Sequence, residues 1–161
     1  MGNKLNNDLI FLSRAIELAL KSAQSGDGGP FGAVIVRDGK VISEGWNQVI
    51  KTCDPTAHAE VMAIRAACNA LNSFHLPNTT LYTSSEPCPM CLSAAYWARI
   101  ERIVFANSRA EAAAIGFCDD DLYEELNRHF SARSIVMEHH PLPEALLPMQ
   151  HWFSKTDRRN Y

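Results

Sequence analysis

The chain of 161 residues has no apolar run approaching the roughly 20 residues needed to cross a bilayer, and no charged-then-apolar leader. Both absences argue against a membrane protein and give a cytoplasmic reading. It also has no run of basic residues. Fifteen Lys and Arg stand against eighteen Asp and Glu, a formal charge of −3, so the electrostatic footprint of a general nucleic-acid binder is missing and a small or neutral substrate fits better. There is no internal repeat, low-complexity tract or linker-like shift in composition, so nothing divides residues 1–161 into more than one domain. Cysteines are few and odd in number: Cys53, Cys68, Cys88, Cys91 and Cys118. Without a secretion signal that count points to reduced thiols and metal ligation, not to a disulfide framework. What is present is 47% hydrophobic residues in a chain long enough to bury its own core.

The apolar periodicity alternates along the chain. Leu9, Leu12, Ile16, Ala19, Leu20 and Ala23 keep helical spacing from Asp8 to about Ser25, with Asp8 placed to cap the helix and Gly26 to end it. Two β-prone runs, Ala33 to Val36 and Val41 to Ser43, flank Arg37-Asp38-Gly39-Lys40, whose Asp-Gly pair predicts a tight antiparallel hairpin. There follow a helix from about Ala57 to Leu71, a strand at Thr80 to Thr83, a helix from about Pro89 to Ala98 and a strand at Arg102 to Ala106. A helix from Asp119 to Phe130, a fifth strand at Ser134 to Met137 and a closing helix from Pro148 to Arg158 complete the pattern. Alternation of this kind predicts parallel pairing with helices over both faces, that is, a three-layer α/β/α domain around a mixed five-stranded sheet.

The chemistry lies in Thr56-Ala57-His58-Ala59-Glu60 and Glu86-Pro87-Cys88-Pro89-Met90-Cys91, both placed at helix starts. Cys88 and Cys91 are three apart, so on a first turn both sulfurs share a face and can close on one ion. His58 is the best third ligand. One His and two thiolates make a tetrahedral zinc site with one position open, the arrangement of a catalytic zinc. A helix N-terminus also favours the thiolate. Glu60 does not share a regular helix face with His58, but side chains lean toward the helix N-terminus, so both can reach a group lying over the helix start. Two helix N-termini converging on one ion is the expectation. A glutamate beside the zinc-activated water, not ligating, suits proton transfer to a substrate nitrogen and a leaving amine, which is hydrolytic deamination. Cys-x-x-Cys alone would equally suit a redox pair or half of a structural site; His-x-Glu at a second helix start and the lack of a second Cys pair favour catalysis over a zinc-stabilised scaffold. Cys53, Cys68 and Cys118 lack ligand spacing, and the remaining histidines receive no role.

At these residues the sequence resembles the cytidine-deaminase-like superfamily, whose pattern is His-x-Glu and, further on, Pro-Cys-x-x-Cys. The resemblance implies that His58, Cys88 and Cys91 hold one zinc ion per chain and that Glu60 shuttles protons. Gly28-Gly29-Pro30-Phe31, Glu44-Gly45-Trp46-Asn47, Asp54-Pro55-Thr56-Ala57-His58, Tyr96-Trp97-Ala98-Arg99 and Ile115-Gly116-Phe117-Cys118-Asp119-Asp120 look most like the bacterial guanine deaminase branch. That likeness implies a purine substrate, with Asn47 hydrogen-bonding the ring, Phe31 and Trp97 packing against it, Asp119 holding the guanine edge and assisting proton transfer, and Tyr161 completing the pocket. It also implies a homodimer in which a C-terminal segment, about residues 148–161, exchanges between subunits and excludes water from the neighbour's site. Cys118 stands where an acidic residue is expected, so the register of Asp119 within Asp119-Asp120-Asp121 is open, and Asp119 also suits a helix cap. Phe31 and Trp97 equally suit a core, Asn47 a turn and the last residues a frayed tail. A tRNA adenosine deaminase shares the zinc pattern, but its polyanionic substrate would meet Asp119-Asp120-Asp121 and Glu124-Glu125, although Lys155, Arg158 and Arg159 cluster nearby in sequence. Cytosine or another small aminated ring is the remaining alternative.

Overall fold

The computed structural model describes residues 2–160. Helix α1 spans Gly2–Ser25, strands β1 and β2 span Gly32–Arg37 and Lys40–Trp46, a short α2 covers Val49–Thr52 and α3 covers Ala59–Leu71. Then come β3 at Thr79–Ser85, α4 at Pro89–Trp97, β4 at Arg102–Asn107 and α5 at Arg109–Ala114. The hairpin forms as its sequence predicts: Asp38 and Gly39 both take positive φ, 51° and 72°, the left-handed pair that a type I′ turn requires.

The sheet order is β2-β1-β3-β4, with β1 antiparallel to both neighbours and β3 parallel to β4. Strands β2 and β3 run in the same direction, as a strand–helix–strand crossover requires, but β1 lies between them. Alternate residues of the strands serve two cores. Ala33, Ile35 and Leu81 meet Ala59, Ala63, Ile64 and Ala67 of α3 and Ala95 of α4 on one face; Val34, Val36 and Tyr82 meet Ala15 and Leu18 of α1 on the other. Burial on both faces explains why β1 reads as a continuous apolar run and not as an alternation. A Cβ on Gly45 of β2 would stand 2.4 Å from the carbonyl oxygen of Ala59, so glycine there lets the first turn of α3 lie directly on the sheet.

Three sequence expectations need correction. The sheet has four strands, not five. Residues 134–137 form no strand, and Ile135 and Val136 are 76% and 82% exposed; a short β-prone run needs a neighbouring ladder to become a strand. Helix α1 begins well before Asp8, which is buried inside it and takes hydrogen bonds from Tyr82 and Arg102 instead of capping its start. The buried stripe of α1 is Ala15, Leu18, Ala19 and Ser22, while Leu9, Ile16 and Leu20 of the expected apolar face are exposed. The helices α3 and α4 start where expected, within two residues.

The chain divides into two compact units, one ending at Asp119 and one running from Asp120. The second contains α6 (Asp120–Asn127), two 3-10 turns at Phe130–Ala132 and Pro143–Leu146, and α7 (Leu147–Ser154), none with a buried residue. Glu125 organises it locally: Arg128 pairs with its carboxylate at 2.6 Å and the Ser134 backbone N–H donates to it at 2.8 Å.

Candidate active site

Asp54 sets the entry to α3. Its Oδ1 accepts from the Thr56 backbone N–H at 2.8 Å and from the Thr56 hydroxyl at 2.7 Å, and the Ala57 N–H donates to the Asp54 carbonyl at 3.1 Å. The turn delivers His58 in an extended conformation as the N-cap of α3, with Glu60 in the first turn. Cys88 is likewise the N-cap of α4, followed by Pro89 at the first helical position and Cys91 two residues on. Neither His58 nor Cys88 makes a side-chain capping hydrogen bond; both side chains are turned to each other.

His58 Nδ1 lies 3.6 Å from Cys88 Sγ and 3.5 Å from Cys91 Sγ, and the three atoms all fall within 4.8 Å of one another. A zinc ion with ordinary Zn–N and Zn–S bonds and tetrahedral angles sets an N···S edge of about 3.6 Å. The donor set therefore fits zinc in spacing and in kind. Cys88 is pushed down to about 4 by the hydrogen bond from Cys91 and by His58 beside it, while Cys91 is pushed up by its hydrogen bond to Cys88, by burial and by the Glu60 carboxylate. His58 is held above the ordinary imidazole range by Cys88.

Glu60 is 5% exposed, and burial raises its carboxyl above the usual range. The Thr83 hydroxyl of β3 donates to Glu60 Oε1 at 3.3 Å, and the Cys91 thiol lies on the same carboxylate. Asn47 is buried just after β2; its N–H donates to the Phe31 carbonyl at 3.0 Å, and the next residue, Gln48, donates to the Ala57 carbonyl at 2.9 Å, which ties this turn to the residue preceding His58. Phe31 is half-buried and meets Phe117 edge to face with ring centroids 4.9 Å apart. Trp97 ends α4 and is 65% exposed, so it is not a core aromatic of this unit. Asp119 is half-buried immediately before α6, whereas Asp120 and Asp121 are exposed in the first turn of that helix. Tyr161 lies outside the described residues. Sequence reasoning assigned no role to Thr83, Phe117 or Glu86, whose carboxylate accepts the Arg109 N–H at 3.0 Å and anchors the Cys turn to α5; contacts between distant strands carry no signal in spacing.

Residues 5–107 match the profile of the family described as the cytidine and deoxycytidylate deaminase zinc-binding region. The guanine deaminase of Bacillus subtilis strain 168 is 46% identical over 155 residues, covering 96% of this chain and 99% of that protein. The crystal structure of the B. subtilis guanine deaminase superposes with a TM-score of 0.92 at 47% identity, covering 94% of this chain and 97% of that one. A tRNA-specific adenosine deaminase of Aquifex aeolicus is 35% identical over 145 residues, 90% of this chain and 93% of its own. The chain belongs to the zinc-binding cytidine and deoxycytidylate deaminase family. It is a zinc-dependent aminohydrolase, as the two helix-start motifs lead one to expect.

Proposed function

We propose that the chain hydrolyses guanine to xanthine and ammonia. The observation that carries the reaction type is the N–S–S triangle with tetrahedral zinc edges beside the buried carboxylate of Glu60. The 46% identity to a guanine deaminase over nearly the full length of both chains, against 35% to the tRNA adenosine deaminase, supports the substrate.

His58 Nδ1, Cys88 Sγ and Cys91 Sγ would hold the ion. Bound there, zinc supplies the Lewis acidity that makes water a nucleophile near neutral pH. Glu60 takes one proton of the attacking water and passes it to a ring nitrogen as the bond to C2 of guanine forms, then takes the remaining proton of the new C2 hydroxyl and gives it to the amine as the C–N bond breaks, leaving the carbonyl of xanthine and ammonia. Its burial, with no guanidinium to hold it ionised, suits a carboxylate that accepts and returns a proton. Asn47 hydrogen-bonds the purine, Phe31 and Trp97 pack on the ring, Asp119 holds the guanine edge and assists proton transfer, and Tyr161 completes the pocket. A homodimer that exchanges the C-terminal segment would account for three observations: no buried residue among the described residues 120–160, exposed Trp97 and exposed Phe153, and β4 as an edge strand. A cytoplasmic location keeps the five cysteines reduced.

Incubation of zinc-loaded protein with guanine, followed by absorbance and ammonia together, tests the reading. Equal amounts of xanthine and ammonia are expected. Turnover of cytosine or tRNA adenosine with guanine untouched would overturn the substrate assignment and leave the chemistry.

A further inference from the structure

Ser22 is fully buried near the end of α1, yet its hydroxyl does not stay within the helix. Its Oγ lies 2.8 Å from the Gly29 carbonyl oxygen and 2.8 Å from the Asn47 carbonyl oxygen, so one proton serves two segments that lie 18 positions apart in the sequence. Those segments are bolted together again at Asn47 Oδ1, which accepts the Gly29 N–H and the Val49 N–H, each at 3.2 Å. The amide oxygen of Asn47 is thereby committed to the protein, which turns its NH2 group the opposite way. The fit leaves no slack: a Cβ on Gly28 would stand 2.0 Å from Asn47 Oδ1. An alanine at position 22 would fill the same place in the helix packing, so packing alone does not explain a hydroxyl there.

We infer that Ser22 is a positioning residue that acts through Asn47, holding its amide as a hydrogen-bond donor toward an acceptor atom of the aminated ring. The inference rests on the assignment of Asn47 to substrate binding. Ser22 touches no substrate. Its hydroxyl fixes the backbone on both sides of the amide, so that Asn47 pays little ordering cost when the ring arrives.

The test is a double-mutant cycle on zinc-loaded protein with Ser22→Ala, Asn47→Ala and the pair. Ser22→Ala should raise KM for guanine about tenfold, one hydrogen bond's worth, with kcat within about threefold of wild type. In the Asn47→Ala background the same substitution should change KM no further. Additive losses, or an unchanged KM with only a lower melting temperature, would reduce Ser22 to a packing residue and overturn the proposal. Should Ser22→Ala not fold, Ser22→Cys keeps the shape with a weaker donor and carries the same cycle. Amide hydrogen exchange needs no substrate: Ser22→Ala should speed exchange at Gly29 and Val49 about tenfold and leave α3 unchanged, and equal rates at those two amides would also sink it. If the wild type ignores guanine but deaminates another ring, the guanine reading falls while the cycle on that ring still decides Ser22.

Discussion

Two carboxylates are buried on opposite faces of the same sheet, against the neighbouring residues Tyr82 and Thr83 of β3, and they are treated differently. Asp8, on α1, accepts both arms of the Arg102 guanidinium at 2.8 and 2.5 Å and the Tyr82 hydroxyl at 2.6 Å. Glu60, on α3, has one hydroxyl at 3.3 Å and a neighbouring thiol. Both lose hydration, but only Asp8 is compensated by a full positive charge. A carboxylate whose charge is matched holds elements together; one left unmatched beside metal-ligating side chains is available to exchange a proton.

The strongest way to break this contrast acts at the metal-ligating side chains. Cys91→Ala should reduce zinc from one per chain to a small fraction in metal analysis and abolish turnover, and stoichiometric zinc in the variant would refute the ligand assignment. Next, Glu60→Gln should keep its zinc and its melting temperature while losing about 100- to 10,000-fold in kcat, and wild-type turnover would return Glu60 to the structural class. On the opposite face, at Asp8, the loss should be of stability and not of rate. Arg102→Met strands the Asp8 carboxylate and should cost about 2–3 kcal/mol in urea unfolding, below the fully buried range because the guanidinium is 36% exposed, with kcat unchanged. Tyr82 refines the contrast through pH. Burial and the Asp8 carboxylate push its phenol up to about 12, so it binds its proton more tightly folded than unfolded; its contribution is complete below about pH 10 and is lost as pH rises toward 12, at most about 2–3 kcal/mol. Tyr82→Phe should flatten that alkaline fall in denaturation curves. The smallest effect belongs to the exposed Arg14–Glu44 pair at 2.7 Å, where Arg14→Gln should change stability by less than about 1 kcal/mol.

Legibility in the sequence follows the range of the interactions. The hairpin at Asp38-Gly39 and the helix starts at His58 and Cys88 are local, and spacing alone places them. The zinc pattern is legible for the same reason: three apart on one turn is a geometric statement. An acid before an apolar helix reads as a cap, whereas Asp8's partner Arg102 lies 94 positions away. The run at Ser134 to Met137 has strand composition but no ladder to join, and only tertiary structure supplies one. Helix α5 has six residues, too few to show a period, although its Ser108 and Glu111 capping box is plain once the helix is known. Insertion of β1 between β2 and β3 is likewise invisible to a count of alternating elements.

His58 and Cys88 occupy the N-cap positions of α3 and α4 without capping them, and this links folding to metal supply. An ion gripped by both residues fastens two helix starts to each other, which makes it a ligand of the native state as well as a reagent. Each tenfold rise in free zinc above its dissociation constant then adds about 1.4 kcal/mol to the folded state. Resistance of the purified protein to proteolysis should then rise with free zinc, before any substrate is present.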